Sequence, residues 1–468
     1  MARTVILFED HTAQQFRPLS WSLPVYELPC GLFNLRERVQ HLIAADRDPA
    51  AIVLLPRGLL TDLQVATAPD GAGVGPRAGL DMLTDDVLFL AARTGADWAA
   101  LRDLLVTMPM DALLGDAHGP VAWRTDAKAA RAALAAWRDW DETCAREKAW
   151  TATDVDAPAW TPVSDAPKPT TIAWGHLWDL MHDIGGAIRG DAAHLADGDR
   201  MSLPQRTLFG LEADGEAPAW RIGADLARVT DGAPLGGVVA EGGEIWLGPG
   251  AVLGPGVAID ASAGPVIIDR DVRVLPNAYL EGPLYLGCGA RVKACATLYG
   301  ETAVGAGCRV SGEIAESQLL PYMNKQHAGF LGHSVVGSWV NLGADTTNSD
   351  LKNNYGDIKV NYGLGPVETG SRFVGLMIAE HAKSAIGTTF NTGTTVGFAS
   401  NVFAAGFPRT CLDNFTWGDG RGRRHFQVDR ALEVARIVMS RRDCRFTEAH
   451  AALFRALADR AGPSGRVA

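Results

Sequence analysis

From Ile245 onward the chain repeats itself every six residues. LGPGAV begins at Leu247, LGPGVA at Leu253, IDASAG at Ile259, IDRDVR at Ile268, LGCGAR at Leu286 and VKACAT at Val292. VGAGCR at Val304, VGSWVN at Val336, LGADTT at Leu342, IGTTFN at Ile386 and VGFASN at Val396 continue the series. Each copy has a large aliphatic residue followed by Gly, Asp or another small residue, with a further small or aliphatic residue four positions on. Three such hexapeptides make one triangular coil. The aliphatic residue points into the prism, and small residues stand where the backbone turns a corner, where a bulky Cβ would clash or φ must be positive. One coil cannot bury its own faces, so coils must stack. The repeat therefore predicts a left-handed parallel β-helix. Residues 313–328 and 346–372 depart from the period and are expected to protrude as loops, the usual place for a site on a rigid solenoid.

At 468 residues the chain is too long for one ordinary core, so two or three domains are expected. The formal net charge of -11, with 421–424 (RGRR) the one basic tract, argues against nucleic-acid binding, which needs clustered positive charge. No run of about 18 uncharged apolar residues exists, so no membrane span is expected. Seven scattered cysteines form no CxxC pair, and Cys288, Cys295 and Cys308 read as small core residues of the repeat. Reduced thiols and an N-terminus that runs straight into a strand pattern suggest a cytoplasmic protein.

Thr4 to Phe8, Ala51 to Leu55 and Val87 to Ala92 read as buried strands, and 32–45, 126–144 and 175–189 as helices. That alternation predicts an α/β layer with a parallel sheet. The Pro-, Asp- and Thr-rich stretch 151–169 reads as a loop excursion. Past the repeat, 428–441 and 447–461 have helical periodicity and read as a C-terminal cap or subunit contact.

FRPLSWSLPV resembles the tail of the nucleotide-binding loop of sugar-1-phosphate nucleotidyltransferases, with Arg17, Pro18, Leu19, Ser20 and Pro24 in matching places. The Gly-rich turn that would admit a triphosphate is replaced by EDHTAQQ, the usual lysine by Val25, and the expected acidic residue after the central strand by LPRG at 55–58. The segment thus resembles the divergent, Rossmann-like nucleotidyltransferase domains fused to sugar acyltransferases. The resemblance implies that Arg17 would face phosphates and that Asp191 would be a ligand for Mg²⁺, where nucleotidyl transfer survives. A loop ion pair or helix cap is an equal reading of Arg17.

The stretch 327–360 resembles the acetyltransferase half of the bifunctional glucosamine-1-phosphate acetyltransferase and N-acetylglucosamine-1-phosphate uridyltransferase. His327, Leu331 and Gly332, then Val340, Asn341, Leu342, Gly343, Ala344 and Thr346, then Asn354 and Tyr355, carry the likeness. Phe330 stands where that family usually has tyrosine, so one hydroxyl is lost. The resemblance implies His327 as general base, since acetylating an amine requires its ammonium to be deprotonated and imidazole titrates in the right range. It implies Asn341, Asn354, Phe330 and Tyr355 as substrate contacts, Lys325 and Lys359, and more weakly Lys293 and Arg309, as sugar-phosphate ligands, and Arg421, Arg423 and Arg424 as contacts of the coenzyme A 3′-phosphate. The three arginines read equally as neutralising the acidic helix that follows. Asn348 and Asn353 read as solenoid ladders or ligands alike, and His333 and His381 as structural.

These readings divide the chain into 1–215, a divergent nucleotidyltransferase-like domain, 216–417, the β-helix, and 418–468, a helical segment. The expected activity is acyl-CoA-dependent N-acetylation of an amino-sugar 1-phosphate by a homotrimer, coupled to NDP-sugar formation from a nucleoside triphosphate where the first domain is active. The alternatives are a nucleotidyltransferase with the β-helix as scaffold, and a non-catalytic β-helix platform or sensor.

Overall fold

The computed structural model describes residues 3–44, 50–68, 71–147, 173–196, 227–228, 239–422 and 424–461. The predicted excursion at 151–169 lies outside them. The first domain is a six-stranded sheet of order β3-β2-β1-β4-β6-β5, from β1 (Thr4–Phe8), β2 (Ala51–Leu55), β3 (Gly73–Val74), β4 (Val87–Ala91), β5 (Leu113–Asp116) and β6 (Gly119–Thr125). The first four run parallel, with Thr4 beside both Ala51 and Val87. β5 and β6 form an antiparallel edge that the apolar-run signal missed.

The near-continuous apolar strands need cover on both faces. Phe8, Val53, Leu55 and Phe89 pack on Leu134 and Trp137 of α5 (Ala127–Glu147). Val5, Leu7, Leu54 and Leu88 pack toward α1 (Leu35–Ala44) and toward the β-helix. Helices α2 (Gly58–Thr67), α3 (Gly75–Asp81) and α4 (Trp98–Val106) complete the layers. The helix expected over 175–189 is two, α6 (Leu177–His182) and α7 (Ile184–Ala196), broken at Asp183.

The second unit is the left-handed parallel β-helix. Its first face stacks Val252–Leu253, Arg273–Val274, Arg291–Val292, Arg309–Val310 and Asn324–Lys325, and continues through bridges at Asn341 to Lys383–Ser384 and Asn401–Val402. The second face stacks Val239–Gly242, Ala258–Ala261, Tyr279–Glu281, Thr297–Leu298, Glu313–Ala315 and Phe330–Gly332. The third runs from Ile245–Leu247 to Cys411–Leu412. Ile259, Val274, Leu286, Val292, Leu298 and Ile314 fill the prism. Asn277, Cys295 and Asp345 turn corners with φ near +60°. Cys295 is therefore an exposed corner residue and not a core one, whereas Cys288 and Cys308 are buried.

No loop protrudes at 313–328. Val304 pairs with Leu319 in the register in which Leu286 pairs with Val304, so this coil is shorter at its corners, and a deletion broke the period. The break at 346–372 does hold an excursion, but it folds back. Lys359–Asn361 and Pro366–Glu368 form a hairpin whose Ile358 and Val360 are buried, and Thr395 Oγ1 donates to Asn361 O at 2.6 Å.

The third face is covered. Trp246, Ile267, Tyr285, Val335 and Met377 share one core with the first domain and with the C-terminal helices α8 (Val428–Ser440) and α9 (Glu448–Ala461). Polar contacts fasten the same seam: Gly31 N donates to Gln318 Oε1 at 3.0 Å, and Ser22 Oγ to the buried Glu380 carboxylate. The first and second faces, and the corner between them, stay open to solvent.

Candidate active site on the open corner

The chain enters this corner from Asn324–Lys325 and leaves it at Phe330–Gly332. Lys325 alternates inward and is 1 % exposed. Its Nζ donates to Ser311 O at 3.2 Å and His327 O at 3.0 Å, tying the His327 bend to the coil before it. Burial pushes the ammonium down to about 8. Contrary to the expectation from the sequence, Lys325 therefore does not hold a sugar phosphate; it positions the bend. The His327 side chain is exposed, and its ring has no hydrogen-bond partner among the described residues. The next residue's carbonyl, Ala328 O, accepts from Asp345 N at 3.1 Å, so the bend is stacked from both sides.

Other groups share this corner. Asn341 is exposed on the first face, between Asn324 and Lys383 in register. Lys293 is exposed at the same corner two coils earlier. Phe330 is half-buried, with its N–H on Thr347 Oγ1 at 3.3 Å, and its ring lies over Gly332, where a Cβ would stand 2.4 Å from it. Asn348 is buried and bonds both Gly332 N and Gly332 O, at 3.1 and 3.0 Å. It is a rung of the solenoid.

Asn354, Tyr355 and Lys359 lie elsewhere. They sit on the excursion that leaves the corner between the second and third faces, so within one chain they and His327 occupy opposite edges of the second face. The single site expected from two adjacent loops is thus not assembled within one chain. Asn354 Oδ1 accepts from Gly356 N at 3.1 Å in a local turn, Tyr355 is 66 % exposed, and Lys359 pairs with Glu368 at 2.5 Å. What anchors this excursion is His333. Its Nδ1 is 2.9 Å from Asp350 and its Nε2 2.5 Å from Glu316, and its ring stacks on Phe373 at 4.9 Å. Burial works against the charged ring, but its hydrogen bonds to the Asp350 and Glu316 carboxylates prevail and hold it up to about 9. Glu316, His333 and Asp350 stack at one height on successive coils, with His333 and Asp350 17 residues apart, so no local motif marked the trio.

Three coils beyond His327 along the open corner, a cavity of about 470 Å³ is lined by Phe403, Ala404, Trp417, Asp419, Gly422 and Arg424. Phe403 and Trp417 meet edge to face at 5.3 Å. Arg424 is exposed at this cavity, while Arg421 is drawn to Asp419 at 2.7 Å and to Phe407 O at 3.0 Å. Arg423 lies outside the described residues. An aromatic pair thus stands beside an exposed guanidinium at the mouth of this cavity.

The first domain corrects two expectations. Arg17 is 1 % exposed, its guanidinium 4.0 Å over the Trp21 ring, and burial with the neighbouring Arg57 pushes it down to about 9. It does not face a phosphate site. Asp191 is fully buried and accepts from Arg38 Nη2 at 2.8 Å, Trp98 Nε1 at 2.7 Å and Leu32 N at 2.9 Å. Its oxygens are spent on protein donors, so it does not fit a Mg²⁺ ligand. At the end of β1 the Glu9 carboxylate is likewise engaged by Arg57 and Val25 N. Among the described residues, no three His, Cys, Asp or Glu side chains converge as a metal site, and no helix is long and apolar enough to cross a membrane.

Comparison with known proteins finds similarity to sugar nucleotidyltransferase and bifunctional proteins. Residues 5–200 match the family model described as "Sugar nucleotidyl transferase". A "Bifunctional sugar-1-phosphate nucleotidylyltransferase/acetyltransferase" of Sulfurisphaera tokodaii is 28% identical over 146 residues, 30% of this chain and 35% of that protein. A "Bifunctional protein GlmU" of Rippkaea orientalis is 34% identical over 106 residues, 22% of each chain. The protein of the same description from Acidithiobacillus ferrooxidans is 28% identical over 133 residues, 26% of this chain and 28% of its own. The matched segments thus span about a fifth to about a third of these relatives.

Proposed function

We propose, on the premise that this chain belongs with the two-domain proteins that join a sugar nucleotidyl transferase-like domain to a hexapeptide β-helix, that it is an acyltransferase acting on an amino sugar. The acyl donor is an acyl-CoA such as acetyl-CoA, and the acceptor is an amino-sugar 1-phosphate of the glucosamine-1-phosphate kind. The observation that carries this reading is His327: an exposed imidazole on a bend held from below by Lys325 and from above by Asp345. A base must be solvent-reachable before substrate arrives yet fixed in place, and this one is.

In the proposed step His327 takes a proton from the sugar ammonium. The free amine attacks the thioester carbonyl, the C–N bond forms and the nitrogen releases a second proton to solvent; the C–S bond breaks, and the thiolate leaves with the proton returned by the imidazolium. Asn341 lies one coil away to orient the sugar, and Lys293 and Arg309 are the accessible cations for its phosphate. Coenzyme A supplies the activated acyl group. Its adenosine head fits the Phe403–Trp417 cavity, about 14 Å from His327 at the spacing of stacked coils, a distance that an extended pantetheine arm spans. Asn354 and Tyr355 reach such a site from a neighbouring copy of a homotrimer. The setting proposed is the cytoplasm.

Nucleotidyl transfer does not belong to this reading. The groups that would carry it, Arg17 and Asp191, are sealed inside the first domain. The test supplies glucosamine 1-phosphate, acetyl-CoA, UTP and Mg²⁺ and follows coenzyme A and pyrophosphate separately. Coenzyme A release without pyrophosphate is expected. Pyrophosphate at an enzymatic rate, with no acceptor-dependent coenzyme A release across a panel of amino-sugar phosphates, would sink the proposal.

A further inference from the structure

Arginine is crowded at one place on the β-helix. On the first face Arg273 and Arg291 stand in register, and Arg309 follows on the next coil. Each precedes a buried valine, so all three side chains leave the prism on the same side. Stacked strands lie about 4.8 Å apart, so three guanidiniums share a strip about 10 Å long. Arg441, at the end of α8, and Arg442 beyond it join them. Arg442 is fixed over the strip, its Nη1 donating to Gly307 O and its Nη2 to Asn324 Oδ1, each at 2.8 Å. Among the described residues none of these five guanidiniums meets a carboxylate, and the buried Arg309 Nε meets no acceptor.

Like charges held this close repel. Burial first, then Arg291 and Arg441, push Arg309 below the ordinary arginine value. Burial and then Arg309 do the same to Arg442. The chain as a whole carries a net charge of -11, so the strip is a local concentration and not a share of general basicity. A fixed row of cations that the fold does not neutralise is stabilised by an anion from outside. The make-up of the strip selects that anion. A guanidinium presents a planar fork that matches two oxygens of one phosphate, and arginine fills all five positions. A lone phosphate meets one or two rungs, whereas linked phosphates can run along the strip and meet them all.

We propose that Arg273, Arg291 and Arg442 form a binding site for a chain of linked phosphates, free or carried by a nucleotide. Arg309, named above for the acceptor phosphate, is the rung where the strip meets the acyl-transfer corner. The new site extends from there over the earlier coils, away from His327. Arg442 belongs to the C-terminal helical segment, so a bound phosphate chain fastens that segment to the β-helix. The site goes beyond the acyl-transfer reading and is tested without acyl donor or acceptor, so the two fail separately.

The test titrates the full chain calorimetrically with tripolyphosphate, UTP and inorganic phosphate. Tripolyphosphate should bind, lose affinity as salt is added, and raise the melting temperature. Inorganic phosphate should bind about tenfold more weakly or worse. Equal affinity for tripolyphosphate and UTP supports a site that reads the phosphates alone, and tighter UTP one that also reads a nucleoside. Arg273→Ala, Arg291→Ala and Arg442→Ala should each weaken tripolyphosphate roughly tenfold to a hundredfold. Arg291→Lys, which keeps the charge and loses the fork, should recover only part of that. Without ligand, Arg273→Ala and Arg291→Ala should melt no lower than the unaltered protein, because each relieves repulsion. Failure of tripolyphosphate to bind at low salt overturns the proposal, as does inorganic phosphate binding equally well. So does binding that survives both Arg273→Ala and Arg291→Ala. A changed molecular mass in those variants with tripolyphosphate affinity intact would also overturn it, since the row would then serve a protein contact and not a ligand.

Discussion

Two buried charged side chains, Lys325 and Asp191, decide how the candidate residues are to be understood, and each has a measurable cost. Lys325 satisfies two carbonyls from inside the prism. Lys325→Met keeps the stem and removes the donors, and should cost about 1–3 kcal/mol of stability in urea unfolding. It should also lower turnover through displacement of the His327 bend while leaving the acceptor KM nearly unchanged, because Lys325 meets no substrate. Asp191 neutralises Arg38 with both side chains out of water. Asp191→Asn leaves that guanidinium unpaired, and should destabilise the first domain by about 3–5 kcal/mol with no effect on any Mg²⁺ dependence. A metal ligand would show the reverse pattern. The pairing joins positions 153 apart in sequence, and Asp191 was read as a metal ligand because nothing in GDAAHL reveals that Arg38 lies against it. The inward turn of Lys325 was equally hidden, since hexapeptide spacing marks the aliphatic positions and not a lysine that replaces one.

Elements were more legible where their signal is local. The six-residue period located the β-helix, and the apolar runs located β1, β2 and β4, because each strand's environment repeats within a few residues. The short coil at 313–328 was misread because a broken period does not say whether residues were added or removed. Nor could sequence show the excursion folding back, which depends on Ile358 and Val360 finding a distant face. Its anchor makes a pH prediction. The His333 ring titrates near 9 when folded and near 6.5 when unfolded. Its contribution is complete below about 6.5 and is lost as pH rises through about 9. Amide exchange over 350–372, corrected for intrinsic rate, should accelerate across that window, and His333→Asn should remove the change.

At the scale of the molecule, the third face binds the halves together through the buried Glu380. Burial pushes this carboxyl up to about 8. The folded chain then keeps a proton that the unfolded chain releases near 4.5, so stability falls as pH rises between about 4.5 and about 8. Glu380→Gln should flatten that dependence and stabilise the protein at pH 8 by a few kcal/mol at most, read from urea midpoints across the range. The Glu9–Arg57 pair at the end of β1 and the open corner of the prism both favour the proposed placement of the chemistry on the β-helix. That assignment rests on His327 as base. The most direct test compares the protein with His327→Ala at saturating acetyl-CoA and the best amino-sugar phosphate, following coenzyme A release against pH. The account predicts a loss in kcat of roughly 10²–10⁴-fold with little change in the acceptor KM, and disappearance of the acid limb of the pH profile. Equal release by both proteins, with the acid limb intact, would contradict it.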